Sequence, residues 1–453
     1  MKDRLFRLRQ IALMITVAAS TKAHADATSE ETVPRRLSLA DAEQLFLTRG
    51  LDLLIAQYGA EGAEGDVRTA GAHPNPGIDL GLLYTPKLNH DVLYSLKQPP
   101  PGKDSAAPAD LWGFSVGLND NSAIVDQLSG KRSLRIEAAS KALAAARLNV
   151  ADVKRLGLGE LRQAYVSAVM ADLNVAAAKE ALDTYDNQLK LNQKRYDEGA
   201  ISGLDLSRVT QAQLESLQAL DQAESGRKQA MASLMFLLGV RGAQPDVTLT
   251  SSIDYGPLPK LKEASLQWLQ SQASANRTDA KMAAANLEQA ELLVRQAKRA
   301  RLPDIAVSLG YSEQCGPNGN CSSEPAFNAG VQGNVPILYQ QQGEIRRAES
   351  NAKAAERNVD KVKARLLSDV TQAFAAYLSA KSQVERMEGK LLEQARVSRD
   401  LAQHMYQRGA ASFIDFMDAQ RAYVASRLEY HEDLANYWNA VYQLEQATAS
   451  PLR

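Results

Sequence analysis

Two serine–acid pairs recur at one spacing, Ser202-x-x-Asp205 and Ser412-x-x-Asp415, with Asp418 one helical turn after the second acid. A hydroxyl three residues ahead of a carboxylate can close a capping box, each side chain taking an amide at the start of a helix. The carboxylates also sit where a helix dipole favours negative charge. This is hydrogen-bonding and electrostatic chemistry, not covalent catalysis. Nowhere does a nucleophile stand with a base, and there is no glycine-rich phosphate loop. Of the five histidines, His24 lies in the leader-like start, and His73, His90, His404 and His431 show no ligand spacing. Nothing in the sequence assigns a cofactor, a metal or an enzymatic activity. The formal net charge of -1 gives no general pull toward nucleic acid.

The two cysteines fall in Gln314-Cys-Gly-Pro-Asn-Gly-Asn-Cys-Ser322. Outside the cytoplasm, Cys315 and Cys321 at this spacing suggest a disulfide closing a tight turn. The rival, a metal pair, has no histidine or acidic cluster beside it. Export is written at the start. Lys2, Arg4, Arg7 and Arg9 form a positive region, Ile11 to Ala19 an apolar one, and Ala23-His24-Ala25 a cleavage site. About ten apolar residues are too few to span a bilayer, so cleavage after Ala25 is expected rather than anchoring. No cysteine follows the signal to carry a lipid. No later window approaches a transmembrane helix, which leaves an exported chain either soluble or a β-barrel.

The serine–acid pairs need elements to hold them. Each lies just past a long stretch rich in Ala, Leu, Gln, Glu, Lys and Arg, at about 130–197 and 342–407, and neither stretch contains proline. Such residues lose little rotamer freedom in a helix. At about 1.5 Å per residue each helix would reach about 100 Å, so it must pack lengthwise as a coiled coil. Leu143, Ala146, Val150, Val153, Leu161, Ala164 and Val169 supply an apolar stripe. Gly199 and Gly409 suit the left-handed position that ends a helix, and Ser202 and Ser412 then cap the returning helix. Each pair therefore marks the tip of a long α-hairpin. Charge pairs such as Glu344 with Arg347 read as solvated helix support.

The chain repeats itself. Tyr196-Asp-Glu-Gly-Ala-Ile-Ser-Gly-Leu-Asp205 matches Tyr406-Gln-Arg-Gly-Ala-Ala-Ser-Phe-Ile-Asp415 at Tyr, Gly, Ala, Ser and Asp, at an offset of 406 − 196 = 210. Upstream, Pro76-Gly-Ile-Asp-Leu-Gly-Leu-Leu-Tyr84 matches Pro303-Asp-Ile-Ala-Val-Ser-Leu-Gly-Tyr311, and Phe114-Ser-Val-Gly117 matches Phe327-Asn-Ala-Gly330. Each half carries a helical stretch (38–72, 262–300), then two alternating runs (77–86 and 111–119; 304–312 and 326–335), then the hairpin. Ile78, Leu80 and Leu82 share one face, and Ile305, Val307 and Leu309 share another, the period of a half-buried strand. Pro99-Pro-Pro-Gly102 and Gly316-Pro-Asn-Gly319 mark the loops between runs. The expected organisation is a signal (1–25), a first repeat (26–240, strands within 77–119, hairpin 130–238), a linker (241–262) and a second repeat (263–449, strands within 304–335, hairpin 342–449). Trp112 and Tyr84 suit an aromatic belt at a membrane interface, whereas Trp268 and Trp438 are expected between helices.

Four strands cannot close a membrane barrel, since even small ones use about eight. Open edges in lipid cost several kcal/mol per unpaired backbone group, so other copies must complete the sheet. The doubled layout, the tips Tyr-x-x-Gly-Ala-x-Ser-x-x-Asp and the Pro-x-Ile-x-x-x-x-x-Tyr openings resemble TolC-like outer-membrane efflux proteins, from about Leu37 to Ala449. The resemblance implies a mainly α fold with membrane β. In it a homotrimer builds a twelve-stranded barrel in outer-membrane lipid, continued by a periplasmic helical tunnel. The implied function is an exit duct, docked on a periplasmic adaptor and an inner-membrane pump and gated at the helical tips.

Residue by residue, the resemblance carries aperture acids to Asp415 and Asp418, with Asp205 in the matching place of the first half. Threefold symmetry would gather Asp415 and Asp418 into a ring, attracting cations and raising carboxylate pKa values; plain helix capping is the other reading. Tyr406 matches a position that holds the closed aperture by hydrogen bonds. The tip residues Gly199, Ala200, Ser202, Gly409, Ala410 and Ser412 match the region that meets the adaptor, or simply make the turn. The family often carries an arginine two residues after the tip glycine; here Ala411 stands there. A periplasmic coiled-coil adaptor or structural protein is the alternative, but either would lack the doubled layout and the two lipid-compatible strand pairs.

Overall fold

The computed structural model describes residues 33–85, 111–241, 247–250, 253–256, 258–315 and 326–452. The expected export signal, the loop signals at 99–102 and 316–319, and Cys321 lie outside the described residues. In chain order the first half holds β1 (Arg36–Leu37), α1 (Leu39–Arg49), α2 (Leu51–Gly71), β2 (Gly77–Thr85) and β3 (Leu111–Asn119). There follow α3 (Ala123–Leu128), α4 (Lys131–Asp197) and α5 (Gly203–Leu237). The second half opens with β4 (Thr248–Leu249), α6 (Pro259–Lys262), α7 (Leu266–Asn276) and α8 (Thr278–Arg299). It continues with β5 (Asp304–Cys315), β6 (Ala326–Asn334), α9 (Gln342–Arg386), a π-helical turn (Met387–Leu391), α10 (Leu392–Gln407) and α11 (Phe413–Thr448).

The first helical stretch is not continuous but breaks at Gly50, whose backbone leaves the helical region (φ −55°, ψ 116°). The second breaks at Arg277 (φ −60°, ψ 124°). The break recurs at one offset (277 − 50 = 227), as do the caps, Ser38 and Ser265 (265 − 38 = 227). Both serine hydroxyls accept the amide three residues on, from Asp41 and Trp268. Trp268 stands in the first turn after this cap and is 42% exposed, where packing between helices was expected. Trp438 donates its indole N–H to the Asp254 carbonyl at 3.2 Å.

The linker carries structure of its own. β4 pairs in parallel with β1, Arg36 opposite Thr248 and Leu37 opposite Leu249. This ribbon ties the entry of the first half to the junction between halves. Around it a first core joins Leu37, Phe46 of α1, Leu161 and Tyr165 of α4, and Leu234 of α5. A second joins Leu269 of α7, Val370 and Tyr377 of α9, and Tyr437 and Val441 of α11. Buried tyrosines keep their hydroxyls bonded: Tyr165 to the Leu37 carbonyl at 2.9 Å and Tyr437 to the Gly256 carbonyl at 3.0 Å.

α4 runs for 67 residues, about 100 Å. Its most regular buried positions are Ala138, Ala145, Asp152, Gly159 and Val166, one every seven residues. They are mostly small. A β-carbon on nearby Gly157 would fall 2.3 Å from the Phe46 ring, so the close approach of α1 requires glycine there. Asp152 is buried because Arg155 and Thr278 satisfy it, both at 2.7 Å. Of the stripe expected from hydrophobicity, Leu161 and Val169 are buried, while Leu143, Val150 and Val153 are half-buried. Counting apolar bulk misses a seam built on small residues that let backbones approach.

The sheet has the order β2-β3-β5-β6, every neighbour antiparallel, with β2 and β6 at its edges. Cys315 ends β5 and is disulfide-bonded.

Candidate functional site

Both hairpin tips are made the same way. Gly199 and Gly409 adopt φ of +76° and +74°. The following alanine amides reach back to the carbonyls five residues earlier, Ala200 to Arg195 at 2.7 Å and Ala410 to Met405 at 2.8 Å. The glycine amides bond to Tyr196 and Tyr406 at 2.9 and 3.0 Å. This paired pattern ends a helix sharply. Ser202 and Ser412 then cap α5 and α11. Gly199, Ala200, Ser202, Gly409, Ala410 and Ser412 are all exposed.

The tip acids differ in their surroundings. Asp415 completes a reciprocal box: its Oδ2 accepts the Ser412 amide at 3.0 Å and hydroxyl at 2.7 Å, while its amide donates to Ser412 Oγ at 3.2 Å. The Ser412 hydroxyl and then its amide hold the Asp415 carboxyl below its ordinary range. That direction is opposite to the rise that ring repulsion would supply, because in one chain the cap outweighs the small rise from burial. Asp205 takes the Ser202 hydroxyl at 2.7 Å and lies 3.6 Å from Arg208. Asp418 is exposed and shares a groove of about 280 Å³ with Arg208, Gln211 and Arg421. Single-chain geometry thus sets arginines beside two of the three acids.

Tyr406 leaves the tip surface entirely and is only 6% exposed. Its hydroxyl donates to Asn192 Oδ1 on α4, and Asn192 is 1% exposed. Asn192 in turn donates to the Gln188 carbonyl at 2.8 Å. The Tyr406 ring stacks on Phe416 at 5.8 Å between centroids, with Phe413 at 5.5 Å and the Arg195 guanidinium 5.2 Å from its centroid. Tyr185, Val209 and Met417 complete a separate core at the tips. Tyr196, the counterpart of Tyr406, is exposed. Asn192, Phe413 and Phe416 escaped the sequence reading. The signal was available in the Tyr-x6-Phe-x2-Phe spacing across the second tip and in Tyr185, Gln188 and Asn192 at helical steps.

At the other end, the sheet has two unlike faces. Ile78, Leu80, Leu82 and Tyr84 pair with Leu118, Val116, Phe114 and Trp112. On the same face Leu118 meets Leu309, Val116 meets Tyr311, and Tyr311 meets Phe327. This face is apolar yet open, with Leu82 89% and Phe327 82% exposed. The opposite face carries Asp79, Ser115, Asn119, Ser308, Ser312, Asn328 and Gln332 with several glycines. Tyr84 and Trp112 pack at 4.5 Å between centroids. Among the described residues no helix is long and apolar enough to cross a membrane.

The chain resembles known proteins over most of its length. A family model described as outer membrane efflux protein matches residues 43–240 and 269–450. The chain is 25% identical over 331 residues to the cobalt-zinc-cadmium resistance protein CzcC of Cupriavidus metallidurans, covering 71% of this chain and 74% of that one. It is 23% identical over 403 residues to the pyoverdine export outer membrane protein OpmQ of Pseudomonas aeruginosa, covering 85% and 79%. The Campylobacter jejuni CmeC outer membrane channel superposes with a TM-score of 0.74 at 17% identity, over 90% of this chain and 85% of that one. The chain belongs to the outer membrane efflux protein family.

Proposed function

We propose that three copies of this chain close one barrel of twelve strands in the outer membrane, continued by a helical tunnel across the periplasm. The observation that carries this is the sheet. It has an apolar outer face exposed to nothing in the single chain, and two open edges, β2 and β6. Successive strands alternate in direction, so β6 of one copy can meet β2 of the next antiparallel and continue the ladder. Closure removes both edges, which lipid would not tolerate.

In this duct Asp415, Asp418 and Asp205 face the aperture at the tips, where threefold symmetry multiplies each carboxylate. Tyr406 holds the second hairpin in its closed position through Asn192. The exposed turns at Gly199–Ala200 and Gly409–Ala410, with Ser202 and Ser412, meet the periplasmic adaptor that links the duct to an inner-membrane pump. The duct passes what the pump delivers. Relatives named for metal resistance and for pyoverdine export share this family, which supports substrate choice in the pump rather than in the channel wall.

The test is purification in detergent, oligomer mass on the same sample, heat-modifiable migration on a gel, and planar-bilayer recording. A trimer that migrates differently when boiled and forms cation-selective pores is expected. A water-soluble monomer that never inserts would overturn the reading.

A further inference from the structure

Between the tips and the upper cores, the two hairpins touch through a short series of polar cross-links. Asn192 meets Tyr406, Glu215 meets Arg421 at 3.0 Å, and Asn174 meets His431 at 3.2 Å. One position differs from the rest. The Glu180 carboxylate on α4 receives two arginines of the second hairpin from two different helices, Arg427 of α11 in direct hydrogen-bonded contact and Arg399 of α10 at 3.9 Å. Both arginines are largely covered, with side chains 27% and 17% exposed. Arg399 lies 4.2 Å from the centroid of the Tyr423 ring and 2.7 Å from Asp400, both also on the second hairpin.

We propose that Glu180 is the positioning residue that clasps the second hairpin against the first and keeps the tips closed at rest. This rests on the gated-duct reading above. Without Glu180, two largely covered arginines on one hairpin lose the carboxylate that the other hairpin offers them, and among the described residues Asp400 stays beside Arg399. Burial works against the Arg427 charge, and the Glu180 carboxylate first, with Tyr423 after it, more than offsets this, so the guanidinium pKa is raised. The carboxylate lies nineteen residues before Gly199, about 28 Å along α4. A contact so far from the pivoting tip constrains the hairpin as a body rather than its end. The second hairpin is also the one built to yield. Its outgoing helix is interrupted by the π-helical turn Met387–Leu391, with Gly389 inside it, whereas α4 is uninterrupted. Such turns are places where helices bend.

The experiment uses the full-length protein in planar bilayers. It compares Glu180→Gln, Glu180→Arg and the reversed pair Glu180→Arg with Arg427→Glu, with oligomer mass and melting temperature recorded for each. Glu180→Gln should raise the resting open probability about two- to tenfold. Glu180→Arg should raise it further, and the reversed pair should return it toward wild type, all with the oligomer and its melting unchanged. Wild-type leak should also rise with ionic strength, and that of Glu180→Gln should not. If Glu180→Arg fails to assemble, Glu180→Gln and the salt series decide. Wild-type channels that rest closed, with Glu180→Gln and the salt series leaving them closed, would overturn the clasp alone. Absence of any channel from the wild type would overturn the duct and the clasp together.

Discussion

Replacing Tyr406 by phenylalanine removes one hydroxyl and little else. The ring keeps its stacking on Phe416 and its contact with Phe413, so packing volume is nearly conserved. What is lost is the partner of Asn192 Oδ1, and Asn192 is 1% exposed. The neighbouring Gln188 Oε1 already lacks a hydrogen-bond partner among the described residues. An acceptor left bare in that position costs about 1–3 kcal/mol. In the proposed duct the cost falls on the closed arrangement alone, because separating α10 from α4 would admit water to Asn192. The closed-to-open ratio should therefore fall by about five- to 150-fold. The assay is resting open probability in planar bilayers, with oligomer mass and melting temperature as controls. Adding Asn192→Leu to Tyr406→Phe removes both polar partners and should recover much of the loss, since an apolar pair of similar shape leaves nothing unsatisfied. A Tyr406→Phe channel that assembles normally and opens no more than wild type would show that the Tyr406–Asn192 bond does not hold the tips closed. So would a double variant that opens more than the single one.

Asp415→Ala with Asp418→Ala should reduce cation selectivity, read as a smaller reversal potential in a salt gradient; unchanged selectivity would leave these residues as cap and surface charge. Ser412→Ala should destabilise the start of α11 by about 1 kcal/mol, read as a lower melting temperature. Leu82→Arg, on the open apolar face, should cost about 2–4 kcal/mol if that face meets the bilayer midplane, and should deplete the protein from the outer-membrane fraction. Ser115→Arg on the opposite face should leave that fraction unchanged. Burial first, and Arg427 second, lower the His431 pKa. The folded state therefore favours neutral imidazole, and the unfolded state binds more protons as pH drops. His431 thus contributes stability above its ordinary unfolded pKa of about 6.5, and that contribution is lost as pH falls through the depressed folded value. Melting temperature measured from pH 8 to pH 5 should show this loss, and His431→Gln should flatten it.

What could be read in the sequence was whatever repeats at a fixed period. The strands alternate at every second residue, so Ile78, Leu80 and Leu82 announce a face before any partner is known. The tips announce themselves because a left-handed position admits glycine almost alone, and a helix start wants Ser with an acid three residues on. The seam of α4 was not legible in the same way. Its buried register runs through Ala138, Ala145, Asp152 and Gly159, residues that hydrophobicity scores as neutral or hostile to burial. Asp152 is buried only because Arg155 of its own helix and Thr278 of the other half arrive to bond it, and no local window contains Thr278. The same limit hid the β1–β4 ribbon, two residues on each side joined across more than two hundred positions. The π-helical turn was hidden too, since nothing in its composition forbids an ordinary helix.

The tip tyrosines show how far a repeat can be trusted. Tyr196 and Tyr406 occupy the same place in matching decapeptides, yet one is exposed and the other buried against Asn192. The difference arises one turn later in the chain. Phe413 and Phe416 follow the second tip, where Gly203 and Leu206 follow the first. Two aromatic rings give Tyr406 a surface on which to stack, and glycine and leucine give Tyr196 none of that kind. Equal backbones with unequal packing make the hairpins mechanically different. The first presents a continuous 67-residue wall with its tyrosine outward. The second carries the helical interruption, the aromatic plug and both arginines that reach for Glu180. In the duct proposed above, these departures from the repeat make the second hairpin the one expected to move.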